Sequence, residues 1–489
     1  MSRGKTIKVL IASPEIAPFA KTGGLADVCE ALPKALVSLG VAPTLVMPLY
    51  QSVKQGKWEL EKMIQSLPVR IGADEITATI LRGWLTEEIP VFFIQHDEFF
   101  DRAALYGTSA GDYADNAARF SFFSCAVLAL AKALDQHWDI IHCHDWQTAL
   151  IPVYLKTLFS DSPLFSLTKT ILTIHNLGYQ GIFSAETFPQ LGLPSRLFST
   201  EGLEFWGKVN FLKGGIVFAD QVTTVSPTYA KEILTPELGY GLEAFLQARA
   251  NGVIGILDGV DYSLWNPEDD PFLAAPYSRD DLSGKRTCKE DLLKRCRLSL
   301  DLMEHPLLGM TSRLAGQKGI DLVCQVVDRV MTEGAGLTIL GSGQRQYATL
   351  LTKTARKYPR QMAVKIIFDE ALAHQIEAGC DIYLMPSLYE PCGLSQMYGL
   401  RYGTIPVVRR TGGLADTVVE VDPKKKKGTG FSFIDYHPDA LWMAIEKALR
   451  CFSDKALWQQ LMQQAMAQDF SWSRSAAEYL KLYQRLMKP

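Results

Sequence analysis

Two Thr-Gly-Gly-Leu turns, each placed just after an apolar run, constrain this chain more than any other feature. Lys21-Thr22-Gly23-Gly24-Leu25 follows the run Ile7 to Ala12, and Thr411-Gly412-Gly413-Leu414 follows Thr404 to Val408. Each run reads as a strand. The glycines after it let backbone N–H groups converge where a helix starts, a geometry suited to a phosphate or another anion. Two such turns in two halves of one chain imply two nucleotide-fold domains facing a shared cleft.

At 489 residues the chain exceeds one ordinary core, and domains of roughly 100 to 200 residues make two or three the expectation. Hydrophobic residues are 47% and charged residues 21%, enough apolar material for interiors in a soluble globular protein. The formal net charge is −3, and no arginine-rich stripe or aromatic-basic module appears, so nucleic acid is not an expected partner. No segment approaches the roughly 18 uninterrupted apolar residues of a membrane span. The opening Met1 to Thr6 leads straight into a strand without an apolar leader, so a cytoplasmic protein is expected. The 9 cysteines are scattered without a CxxC pair and read as reduced core residues.

Short β-rich runs alternate with helical patterns throughout. The first half predicts strands over 7–13, 42–48, 90–95, 139–143, 169–175 and 221–226, with helices over 25–38, 114–134 and 147–159. Residues 56–89 are less regular and suit an antiparallel excursion. From about 250 to 304 the sequence turns Pro/Asp-rich and then charged, as a connection between domains would. The second series predicts strands over 307–312, 337–341, 364–368, 382–386 and 405–408, with helices over 319–331, 343–357, 371–377 and 393–401. The last sixty residues read as helical. This is the βα alternation of mostly parallel sheets covered on both faces.

Open α/β sheets bind ligands beyond the carboxyl ends of their strands. That rule selects Glu15, Lys21 to Gly24, His142 to Asp145 and His175-Asn176 in the first half. In the second it selects Ser312-Arg313, Lys318-Gly319, Gly341 to Gly343, Glu390 to Gly393 and Thr411 to Gly413. Arg313 and Lys318 flank a strand-to-helix turn, where two cations can grip a diphosphate. Glu390, held between two prolines and a glycine, would accept hydrogen bonds from sugar hydroxyls, balance positive charge at a sugar carbon, or simply cap a helix. Asp145 reads as a sugar-positioning acid or a helix cap. His175 would bond a sugar hydroxyl or place its backbone carbonyl near a reacting carbon. His142, His144 and Asp145 lack evident third and fourth ligands for a metal, so no metal is expected. Cys392 has no nearby histidine with which to form a thiolate pair. No GxxxxGK[ST] loop, nucleophile elbow, HExxH or dinucleotide GxGxxG occurs.

Seven stretches in order then resemble the bacterial glycogen synthase and plant starch synthase family. They are Ser13 to Val28, His144 to Gln147, His175 to Gly181, Val225 to Ala230, Ser312 to Gly319, Glu390 to Leu394 and Arg409 to Asp416. The resemblance implies an α/β chain of two Rossmann-like domains facing a deep cleft, the GT-B fold. It implies retaining transfer of glucose from a nucleotide diphosphate glucose, typically ADP-glucose, to the non-reducing end of an α-1,4-glucan such as glycogen or a maltooligosaccharide. No cofactor is implied beyond that donor substrate, and oligomeric state stays open. Residues 1–250 would carry the acceptor and 251–465, with a linker at 251–304, the donor; 466–489 would pack back on the first domain. The family pattern assigns catalysis to Lys21, Asp145, His175, Arg313, Lys318 and Glu390. It places Glu15, Lys21, Thr22, Gly23, Gly24, Asn176, Asp258, Arg313, Lys318, Cys392, Gly393, Leu394, Ser395, Thr411, Gly412 and Gly413 around the nucleotide-sugar. Closure of the two domains, on hinges near 250 and 465, would exclude water. One departure stands out: Asp258 replaces the usual asparagine, and this bears on donor preference.

Overall fold

The computed structural model describes residues 6–108 and 111–488. The chain divides into two compact units, one running through Gly259 and resuming at Trp472, the other spanning Val260–Ser471.

In the first unit a nine-stranded sheet runs, in spatial order, Val253–Gly255, Gln221–Thr224, Lys169–Ile174, Ile140–His144, Lys8–Ala12, Ala42–Pro48, Ile89–Gln95, Asp74–Thr86 and Glu61–Ile71. The first seven pair in parallel and the last two join antiparallel. The chemistry of each strand matches its place. Val9 to Ala12 are all fully buried, as a strand covered on both faces must be. At the antiparallel edge Leu67, Val69 and Ile71 are buried while Pro68 and Arg70 between them are exposed, the alternation of a half-solvated sheet.

The second unit holds six parallel strands in the order Met362–Lys365, Gly336–Leu340, Leu307–Thr311, Ile382–Met385, Ile405–Arg409 and Phe431–Phe433. Helices cover it through apolar stripes such as Ile320, Val323, Val327 and Val330. The last helix, Trp472–Leu486, belongs to the first unit. Its buried stripe (Trp472, Ala476, Tyr479, Tyr483) joins that unit's core against the Gly24–Val37 helix.

Most predicted elements fall within a residue or two of the observed ones, and the exceptions have local causes. The helix expected over 147–159 is a short turn, Trp146–Thr148, then a six-residue helix, Leu150–Leu155. Pro152 has no N–H to give the carbonyl of Thr148, so the helix restarts. The strand expected over 364–368 is Met362–Lys365, and Ile366 to Phe368 are exposed. Helices expected from 343 and 393 begin at Arg345 and Ser395, because Gly343 and Gly393 take positive φ of 147° and 73°. The stretch read as linker opens with Val253–Gly255 as an edge strand. Phe431–Phe433 and a small sheet of Ile182–Ser184, Lys208–Asn210 and Glu204–Phe205 were not anticipated.

Candidate functional site

In the second unit the chain winds outward from Leu307–Thr311 in one direction and from Ile382–Met385 in the other. The loops after these two neighbouring strands therefore separate at the topological switch point, where open sheets leave a crevice. Lys318 comes from one loop and Glu390 from the other. They meet as an ion pair, Lys318 Nζ to Glu390 Oε2 at 2.6 Å, with side chains 17% and 8% exposed. Ser387 Oγ donates to the same oxygen at 2.9 Å.

The two loops are stitched together on either side of this pair. The N–H of Leu388 donates to the carbonyl of Gln317 at 2.8 Å, and Gln317 Nε2 donates to the carbonyl of Tyr389 at 3.0 Å. Gly319 has φ +71° and approaches Pro386 so closely that a Cβ there would lie 2.2 Å from the Pro386 carbonyl oxygen. A third loop closes the cluster. The N–H of Gly413 donates to the carbonyls of Glu390 and Pro391, both at 3.1 Å.

The pair is not saturated. An ammonium carries three donors and a carboxylate two oxygens; Lys318 uses one donor, and Glu390 Oε1 has no partner among the described residues. Arg313 is exposed, and its guanidinium makes no hydrogen bond or ion pair among the described residues. The switch point thus presents a neutral pair with donors and an acceptor to spare, and the loop that carries Lys318 also carries an uncommitted cation. That set suits a ligand bearing both phosphate and hydroxyl groups.

The first unit repeats the topology, with its switch between Lys8–Ala12 and Ile140–His144. The loop after the first strand holds Glu15, buried, whose Oε1 accepts from the hydroxyls of Thr22 and Tyr106, both at 2.6 Å. Its Oε2 accepts the Thr22 N–H. Glu15 therefore clasps the glycine turn from behind. Lys21 is turned to Asp27, Nζ to Oδ1 at 2.6 Å, on the surface. The turn ends at Gly23, where a Cβ would meet no atom within 4 Å.

The loop after Ile140–His144 holds Asp145 at φ 56° and ψ −175°, a region that side chains rarely occupy and that collects at functional sites. Its N–H donates to Thr173 at 2.9 Å, and its Oδ1 accepts the His175 N–H at 2.7 Å. Asn176 Oδ1 accepts the Gly178 N–H at 3.0 Å. Burial pushes the Cys29 thiol up, and the charges of Glu15, Asp145 and Asp258 act in the same direction. Asp258 is buried in this unit, and burial, followed by the Asp258 charge, pushes the Tyr479 hydroxyl up.

Of the remaining residues singled out in the sequence, Cys392 is buried, Leu394 precedes the Ser395–Arg401 helix, and Ser395 opens that helix. Thr411 stands at the N-cap position of the Gly412–Thr417 helix, which Gly412 and Gly413 begin, and its side chain makes no cap bond. Gly341 and Gly343 press against Ser312 and Leu314, seating one strand-end loop on the next. Two participants carry no signal in the sequence analysis: Ser387, three residues before Glu390, and Tyr106, which no motif marks. Among the described residues no group of three or more His, Cys, Asp or Glu side chains converges as a metal site, and no helix is long and apolar enough to cross a membrane.

Asp145 gives a pH-dependent expectation. Burial pushes its carboxyl up to about 7, against the pull of the His175 and Asn176 N–H groups. Unfolded, the group titrates near 3.8. Between those values unfolding releases a proton, so the Asp145 contribution to stability is full at low pH and lost as pH rises through 7. The slope is at most about 1.4 kcal/mol per pH unit. Thermal melts of the wild type and Asp145→Asn should therefore converge or cross as pH rises from 5 to 8; a constant offset would refute the assignment.

Two family profiles span most of the chain. One described as starch synthase catalytic domain matches residues 8–248, and one described as glycosyl transferases group 1 matches residues 299–461. The chain is similar to the glycogen synthase of Koribacter versatilis, 48% identical over 477 residues covering 98% of each chain. It is also similar to that of Syntrophotalea carbinolica, 46% identical over 482 residues covering 99% of each. Among solved structures it resembles the catalytic domain of starch synthase IV from Arabidopsis thaliana bound to ADP and acarbose. That match has a TM-score of 0.90 at 36% identity and covers 99% of both chains.

Proposed function

This chain belongs to the glycogen and starch synthase family, glycosyltransferases of the GT-B fold, and we propose on that footing that it transfers glucose from ADP-glucose to the non-reducing end of an α-1,4-glucan with retention. The observation that carries the reading is the Lys318–Glu390 pair at the switch point, with Arg313 unpaired on the loop that also carries Lys318. The relative whose solved structure is bound to ADP and acarbose supports the donor base and the glucan class.

In this reading the second unit holds the donor and the first the acceptor. As the bond between the anomeric carbon and phosphate oxygen breaks, its electron pair moves onto the diphosphate. The free donors of Lys318 and the Arg313 fork stabilise that charge. Glu390 Oε1 accepts from glucose hydroxyls. The acceptor hydroxyl attacks from the face the diphosphate is leaving, forming the new C–O bond, and its proton passes to a diphosphate oxygen. Retention follows from that same-face attack.

Incubation with maltooligosaccharides and either ADP-glucose or UDP-glucose tests the proposal. Chain lengthening with ADP-glucose is expected. Lengthening with neither donor overturns the reading, donor loss without polymer growth points to a hydrolase or epimerase, and faster growth on UDP-glucose overturns the donor assignment. Arg313→Ala should lower kcat/KM for the donor about 10- to 100-fold, the scale of a lost charge-assisted contact. Its melting should match wild type to within about 0.5 kcal/mol, because the side chain supports nothing else.

A further inference from the structure

We propose that His144 is a positioning residue: its Nδ1–H donates to His175 Nε2 and so fixes the His175 proton on Nδ1, where it faces ligand. For the identity of that ligand, a sugar oxygen of the glucan or donor, the inference rests on the glucosyl-transfer reading; the tautomer assignment stands apart from it.

His144 ends the Ile140–His144 strand, and its register partner on the neighbouring strand is Thr173, two residues before His175. His144 Nδ1 and His175 Nε2 lie 2.9 Å apart, so one of them carries the shared proton. Burial lowers all three neighbouring imidazoles, His142 and His175 to about 3 and His144 well below its ordinary value. Both rings of the bonded pair are therefore neutral, each with one N–H.

Two arrangements remain, and His144 Nε2 separates them. That atom is buried and has no hydrogen-bond partner among the described residues. If His175 Nε2 donated, His144 would carry its proton on Nε2 and bury an N–H with no acceptor. If His144 Nδ1 donates, Nε2 is left as a bare lone pair. Orphaned N–H groups are the rarer and costlier outcome in protein interiors. The second arrangement is favoured, and it leaves His175 protonated on Nδ1.

The His144 ring cannot easily turn to escape this choice. His142 stacks on it with centroids 4.3 Å apart. His142 is in turn pinned by Thr173 Oγ1 at 2.6 Å and by the hydroxyl of Tyr483, from the last helix, at 2.9 Å. His175 is anchored from the other side by Asp145, which holds its backbone N–H. His175 itself is half-buried. Its Nδ1 bonds nothing among the described residues and is not one of the sealed orphan atoms, so this nitrogen reaches open space. The result is a neutral N–H donor, aimed by a buried relay and suited to a sugar hydroxyl oxygen.

The test is nitrogen-15 NMR of the histidine-labelled full chain, with the His144→Asn and His175→Asn variants used for assignment. Ring shifts and couplings showing Nδ1–H on both His144 and His175 are expected; Nε2–H on His175 overturns the proposal whatever the activity. Kinetics supply the second readout. His144→Ala should lower kcat for glucan extension about 10- to 100-fold with little change in donor KM. His144→Asn, whose amide nitrogen can stand where Nδ1 stood, should recover most of that loss. A wild-type kcat in His144→Ala, or equal losses in both variants, overturns the positioning role. A wild-type enzyme that extends no glucan defeats the functional reading, while the spectrum still decides the tautomer.

Discussion

Lys318→Ala is expected to lower kcat at least about 100-fold, equivalent to about 2.7 kcal/mol of transition-state stabilisation. The expectation follows from what Lys318 does at two stages. With no ligand it neutralises Glu390, whose side chain is 8% exposed. In the proposed reaction its remaining donors would meet charge arriving on the diphosphate. Alanine removes both at once, and the loss should fall on kcat more than on donor KM, because the charge it answers is largest in the transition state.

A purely structural role must be separated from this. Stranding Glu390 should cost about 1–3 kcal/mol of stability, since a charged group would stay mostly buried with Ser387 as its one remaining side-chain donor among the described residues. Adding Glu390→Ala to Lys318→Ala should restore part of that stability, because no carboxylate is left unpaired. It should restore none of the rate. Urea melts and steady-state kinetics on the two single variants and the double variant make the comparison. If rate recovers in step with stability, Lys318 is a strut for Glu390 and not a group that meets the leaving phosphate.

The sequence displays positions well and partnerships poorly. Buried parallel strands are continuous apolar runs, so Lys8–Ala12 or Ile405–Arg409 can be read directly, and the strand-end rule then selects the loops whose Lys318 and Glu390 pair. Val253–Gly255 and Phe431–Phe433 are three-residue edges that exist only because a neighbouring strand offers its free side. Ile366 to Phe368 look like strand residues because apolar composition was taken for burial, and they are exposed. Lys318 and Glu390 stand 72 residues apart, and Glu15 and Tyr106 stand 91 apart. Nothing local announces either pairing. The Thr-Gly-Gly-Leu echo hides a difference in packing: a Cβ at Gly23 would meet no atom within 4 Å, whereas one at Gly412 or Gly413 would run into the Glu390 or Cys392 backbone.

Gly413→Ala should therefore be far more destructive than Gly23→Ala, although both remove the second residue of the same four-letter turn or its neighbour. A Cβ at Gly413 would lie 2.0 Å from the Cys392 carbonyl oxygen and 2.6 Å from its carbonyl carbon and Cα. All three are backbone atoms of the loop that carries Glu390, so no side chain can swing aside. Relief requires moving the loop, which also weakens the Gly413 N–H bonds to Glu390 and Pro391. A loss of about 3 kcal/mol or more is expected, a fall in Tm of roughly 6–12 °C for a unit of this size, with activity lost alongside. Gly23 sits in extended backbone at φ −162° with no atom within 4 Å of an added Cβ. Its methyl should cost under about 1 kcal/mol, chiefly as a poorer helix cap. Any loss of rate in Gly23→Ala must then come from what the methyl meets when substrate arrives. The comparison reads the two turns separately: one glycine makes room for the protein's own backbone, the other leaves room that the protein does not fill. Matching melts for the two variants would show that the Glu390 loop is not seated on Gly413. The Lys318–Glu390 geometry would then need another support.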